Sequence, residues 1–200
     1  MSRARPVPLD ETSDAPENAA EVGQGLFDDV ELRPLGECCL MGFGSTSGPP
    51  ALPVLYNNHK QIVQTPQDIM ILNEMVHDAR LSRMNQPHAP KSVRKWIGDS
   101  VGRWEGDTLV VDTTNFSDKT RFRRSTEKPA RRRALTRIDA KTILYRFTVE
   151  DPTTWTRPWT AEYPWVASDE LLYEYACHEG NYSMQGSSRA SGCWMLNEQA

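Results

Sequence analysis

Two hundred residues suffice for one domain with a real core, and a net charge of −4 with a pI near 5.6 argues against a general nucleic-acid binder, which carries a basic footprint. Hydrophobic residues make up 38% and charged residues 25%, and no run approaches the ~18 consecutive apolar residues of a membrane-spanning helix. The four cysteines, Cys38, Cys39, Cys177 and Cys193, form no C-x-x-C pair, so zinc-ribbon and thioredoxin readings find no support. A disulfide from the Cys38/Cys39 pair to Cys177 and a set of reduced thiols both stay open, the redox compartment deciding between them.

Along the chain, residues 1–30 carry Asp10, Glu11, Asp14, Glu17 and Glu21 among Pro6, Pro8 and Pro16. That composition predicts a flexible acidic arm, and it contains no apolar h-region of a signal peptide. Residues 31–185 read as a single β domain and 186–200 as a polar tail. After the apolar Leu40 to Phe43 comes a Gly-, Ser- and Pro-rich loop, Gly44 to Pro53. Ile69 to Leu72 predicts a buried strand and Val76 to Arg83 its return, ended by Asn85 to Pro90 with two prolines. Trp96 and Ile97 lead into a turn at Gly98-Asp99-Ser100. The stretch Gly102 to Thr114 follows as a hairpin that turns at Glu105-Gly106-Asp107.

Leu135 to Ile138 and Ile143 to Glu150 flank the turn Asp139 to Thr142, with Ile143, Tyr145, Phe147 and Val149 on one face. Trp155 to Trp165 alternates again, and Pro158 and Pro164, which cannot donate ladder hydrogen bonds, make it an edge strand or an interrupted one. Leu171 to Cys177 is the last predicted strand. Only Thr65 to Glu74 and Ser187 to Asn197 compete as helices, and neither keeps a 3.6-residue period. Short strands and tight turns predict a mainly β fold: an antiparallel meander forming a calycin-like up-and-down barrel or a strongly bent sheet.

Several blocks carry a resemblance: Gln64-Thr65-Pro66, NEMVHDAR from Asn73 to Arg80, GDSVGRWEGDTLVVDTTNF from Gly98 to Phe116, FTVEDPTTWTRPWTAE from Phe147 to Glu162, and YEYACHEGNY from Tyr173 to Tyr182. Over residues 32–185 the chain resembles an uncharacterised family of bacterial proteins of unknown function. The resemblance implies a periplasmic or secreted setting, since members of that family often look exported, and a disulfide between Cys39 and Cys177, which sit at matched positions. The chain departs from the family pattern at Asn85-Gln86-Pro87-His88, where relatives read Gly-Arg-Pro-His, and at the basic Arg131-Arg132-Arg133.

Five constellations are candidates for chemistry. In His77-Asp78-Ala79-Arg80, strand geometry puts Asp78 and Arg80 on one face as a charge-assisted pair, alternatively a surface ion pair beside a hydrogen-bonded histidine. In Cys177-His178-Glu179-Gly180-Asn181, a turn at Gly180 would let His178 act as a general base with Glu179; otherwise this is a capped turn. The histidines His59, His77, His88 and His178 show no ligand spacing, so neither metal nor cofactor is assigned. Arg157 between Trp155 and Trp159, after Glu150 and Asp151, suits cation–π stacking and capture of a carboxylate or phenolate, or else snorkels to solvent. Trp104, with Glu105, Asp107, Thr113, Thr114 and Asn115, plugs a barrel end or contacts a ligand. The basic stretch Arg121 to Arg133 reads as a solvated loop, and no phosphate loop or nucleophile elbow occurs.

Two functions from different classes follow. One is a binding module holding a small hydrophobic or aromatic ligand between Trp155, Trp159, Tyr145 and Phe147, with Arg80, Trp104, Asn115, Glu150, Tyr175 and Asn181 as further contacts. The other is a cofactor-independent isomerase, lyase or cyclase, with His77 or His178 as base, Asp78 or Glu179 orienting it and Arg157 stabilising negative charge. A small molecule is the expected partner, with an interaction domain of an envelope complex as a weaker third reading.

Overall fold

Period-two alternation is realised as eight strands in one sheet. The computed structural model describes residues 35–42, 46, 48, 50–117, 120, 130–152 and 155–182; the N-terminal arm, residues 121–129, the C-terminal tail and Cys193 lie outside them. The chain falls into two compact units, Cys39–Glu179 and Met1–Cys38 with Gly180–Ala200. In the latter, Asn181 Nδ2 donates to the Glu37 carbonyl at 2.6 Å.

The strands are β1 (Lys60–Gln64), β2 (Asp68–Asn73), β3 (Ala79–Met84), β4 (Asp99–Glu105), β5 (Thr108–Thr114), β6 (Ala130–Arg137), β7 (Thr142–Glu150) and β8 (Trp159–Val166), hydrogen-bonded in sequence order. The mainly β bent-sheet expectation is met. All neighbours are antiparallel except β3 and β4, which pair in parallel through Ser82↔Ser100 and Met84↔Gly102. That departure from a pure meander arises because residues 85–98 run back along the sheet before β4 begins, instead of turning tightly.

Other expectations shift locally. The return strand starts at Ala79, because Met75–His77 form a 3-10 turn in which Val76 and His77 adopt φ 59° and 45°. β6 begins at Ala130, earlier than Leu135, and β1 was not anticipated. Leu171 to Cys177 forms no strand; within it Tyr173 N–H donates to Glu74 Oε1 at 3.0 Å. The hairpin turn at Gly106-Asp107 is as expected, with Gly106 at φ +60°. Thr65 to Glu74 forms β2 and its flanking residues, not a helix.

The register sends Ile69, Ile71, Met84, Leu109, Val111, Leu135, Tyr145, Phe147 and Val149 to one face, where they form the main core. Each large apolar side chain so buried contributes about 1.5–3 kcal/mol. β1 and β8 end the sheet, which curls into a half-barrel, and Lys60 Nζ of β1 lies 5.7 Å from the Trp165 ring centroid of β8. Residue Ala51 is strapped onto this inner face: its N–H donates to Tyr145 Oη at 3.2 Å and its carbonyl accepts from Tyr163 Oη. A smaller cluster of Cys39, Met75 and Val76 packs with Tyr175 and Cys177, and the Cys39–Cys177 disulfide closes it.

Candidate functional site

The inner face is not wholly apolar. By strand parity it also presents Arg80 and Ser82 from β3, Ser100 from β4, Thr113 from β5 and Arg133 from β6. All but Ser82 form a hydrogen-bonded chain across four strands. Arg80 Nη1 donates to the Ile97 carbonyl at 2.5 Å and to Ser100 Oγ at 3.2 Å. Ser100 Oγ and Thr113 Oγ1 share a hydrogen bond at 2.9 Å, and Arg133 Nη1 donates to Thr113 Oγ1 at 2.8 Å. Arg133 is only 3% exposed, yet its Nε and Nη2 have no hydrogen-bond partner among the described residues, and neither has the buried Ser82 Oγ. No inward strand position is Asp or Glu. Asp151, just past β7, is the buried carboxylate nearest in sequence.

Beside Arg133 runs an aromatic wall. Arg133 pairs with Phe147 across β6 and β7, and Phe147 meets Trp159 edge-on at 5.6 Å, which meets Trp155 edge-on at 5.9 Å. Towards the other end of the strands, Tyr145 stacks on Trp165 at 4.5 Å and meets Tyr163 at 5.4 Å. Tyr145 and Phe147 are buried, while Trp155, Trp159, Tyr163 and Trp165 are half-buried, so the wall meets solvent along its outer edge, the Trp155–Trp159 pair included. Burial pushes the Tyr163 hydroxyl up to about 12 and pulls the Lys60 ammonium down to about 8.

On the opposite face, a second polar cluster clamps the 85–98 connection. Asp99, 2% exposed, accepts from Arg83 Nη2 at 2.9 and 3.0 Å and from the Ala89 N–H at 2.9 Å; His88 Nδ1 lies 3.0 Å away and Lys95 Nζ 3.7 Å away. Burial raises the Asp99 carboxyl, but the Ala89 N–H, His88, Arg83 and Lys95 together outweigh it and hold the group below the usual carboxylate range. His88 Nε2 stands 3.6 Å from Asp112 Oδ2. Every Asp99 contact fastens a neighbouring segment, so we assign this cluster to structure.

The sequence-selected residues divide. Tyr145, Phe147, Trp155 and Trp159 do come together, and Arg80 lies on the same inner face. His77, Arg157, His178 and Glu179 are all exposed, the last two in the turn that follows Cys177. Asp78 accepts from the Gly42 N–H at 3.1 Å. Asn115 Nδ2 donates to the Ala89 carbonyl at 2.9 Å and the Pro90 carbonyl at 3.2 Å, a tie on the 85–98 connection. Trp104 is 49% exposed beside the β4–β5 hairpin turn and plugs nothing. Glu150 is exposed, and Tyr175 packs against the disulfide cluster, where burial and then Tyr56 raise its hydroxyl above the ordinary value. Cys39 and Cys177 are bonded, and Asn181 belongs to the other unit.

Arg133, Ser100 and Ser82 escaped sequence reasoning, and Thr113 entered it only as a companion of Trp104. Arg133 looked like part of a basic loop, although it stands two residues from Leu135, and period two would have placed both on one face. Among the described residues no three His, Cys, Asp or Glu side chains gather as a metal-binding group, and no helix is long and apolar enough to cross a membrane. No protein-family profile, characterised protein or solved structure matches the chain.

Proposed function

We propose that this β domain binds a small hydrophobic or aromatic molecule against the inner aromatic wall, at its Trp155–Trp159 end. The observation that carries this reading is the junction of half-buried indoles with a buried polar chain whose last member, Arg133, has hydrogen-bonding capacity to spare. Ligand sites pair a mostly apolar surface with a few convergent polar groups, which is the composition found here. The binding module is preferred to the isomerase, lyase or cyclase because His77, His178 and Arg157 are exposed, whereas a histidine base working with carboxylate and arginine support needs a shared concave site.

The test is a fluorescence titration with the uncharged probe N-phenyl-1-naphthylamine. Saturable binding in the wild type, weakened at least tenfold by Trp159→Ala, is expected. Absence of binding, or binding indifferent to both Trp155→Ala and Trp159→Ala, would refute the reading.

A further inference from the structure

We propose that the ligand is an organic acid, an aromatic or hydrophobic carboxylate whose carboxyl group is held by Arg133. This deepens the binding reading above and rests on it. A guanidinium does not shed its charge in a protein, and a buried charge without a counter-ion is unfavourable. Arg133 is 3% exposed and has no carboxylate ion pair among the described residues, so a positive charge sits on the inner face without an anion.

The pattern of satisfied and unsatisfied nitrogens specifies the shape of the partner that Arg133 would take. Nη1 is occupied by Thr113 Oγ1 at 2.8 Å, leaving Nε and Nη2. Those two nitrogens form the side edge of the guanidinium, where two N–H bonds run parallel at the spacing of a carboxylate's oxygens. Thr113 is held by Ser100, and Ser100 by Arg80, so the plane of Arg133 is anchored from the side away from its unpaired edge. Ser82 Oγ, buried two positions after Arg80 on the same face, is a further polar atom without a partner. The neighbouring Phe147 and Trp159 supply apolar contact for the rest of the molecule.

The probes are 1-naphthoate and its uncharged isostere 1-naphthamide, titrated by tryptophan fluorescence against wild type, Arg133→Met and Arg133→Lys. Near-UV circular dichroism checks the fold of each. The expected result is naphthoate binding at least tenfold tighter than naphthamide in the wild type. Arg133→Met should abolish that preference, Arg133→Lys should reduce it, and N-phenyl-1-naphthylamine should still bind both variants. Equal binding of acid and amide, or a preference that survives Arg133→Met, overturns the carboxylate assignment and leaves the apolar site standing. Failure of all three probes to bind the wild type removes the site itself. Should the variants not fold, the Arg133 Nε–H cross-peak of the wild type decides: it shifts with naphthoate and not with naphthamide, and an unmoved peak overturns the proposal.

Discussion

Arg133→Met, tested without ligand, should make the protein more stable. Replacing a buried, uncompensated charge by an apolar side chain of similar length removes a desolvation penalty of several kcal/mol. Against this stands the loss of one charge-assisted hydrogen bond to Thr113, about 1.5–3 kcal/mol, softened because Thr113 Oγ1 keeps Ser100 Oγ at 2.9 Å. The methionine would contact Phe147, its cross-strand neighbour, and Val111 on the other side. The net expectation is a gain of about 1–2 kcal/mol, a rise in Tm of roughly 2–8 °C for a chain of this size. Urea and thermal unfolding, followed by tryptophan fluorescence under oxidising conditions, would measure it. A loss of 2 kcal/mol or more would refute the reasoning, since it would mean that Nε and Nη2 have partners within the folded chain. A gain in stability at the cost of ligand binding is the signature of a group retained for function.

Three further outcomes are expected. Asp99→Asn should cost about 3 kcal/mol by leaving Arg83, His88 and Lys95 around a neutral group. Because the folded carboxyl lies below its ordinary 3.8, its contribution is present above that pH and lost as pH falls through the folded value. The variant's stability should therefore fall less steeply below about pH 4, and identical acid limbs in urea titrations would contradict this. At Gly98 (φ +76°), an alanine Cβ would sit 2.7 Å from Phe116 Cε1 and Thr113 Cγ2 and 2.8 Å from the Thr114 carbonyl, whereas at Gly106 (φ +60°) it meets open space. Gly98→Ala should cost roughly 2–5 kcal/mol and Gly106→Ala about 1 kcal/mol, and equal unfolding midpoints would show the crowding at Gly98 to be inconsequential. The Cys39–Cys177 bridge closes a loop with a sequence separation of 138, and the double change Cys39→Ser/Cys177→Ser should lower stability by about 2–5 kcal/mol. An unchanged urea midpoint would show that the bridge does not hold the fold.

The alternation in Ile143 to Glu150 and in Trp155 to Trp165, and the Gly106 turn, were legible locally because side-chain direction in a strand depends only on neighbouring residues. For that reason the bent β sheet, the edge position of the Pro164 strand and the gathering of Tyr145, Phe147, Trp155 and Trp159 followed from sequence. The parallel β3–β4 pair did not, since the path of residues 85–98 depends on Asp99 and Asn115 reaching back to Ala89 and Pro90. Nor did the failure of Leu171 to Cys177 to join the sheet, because strand pairing is a contact between distant segments. The candidate site was the least legible part. Parity alone sets Arg133 on the side of Leu135, but its neighbours are Val111 and Thr113 of β5 and Phe147 of β7, brought there by the two strands that flank its own. Whether an arginine is solvated or buried with an unpaired edge is decided by what packs around it, and only the tertiary structure supplies that.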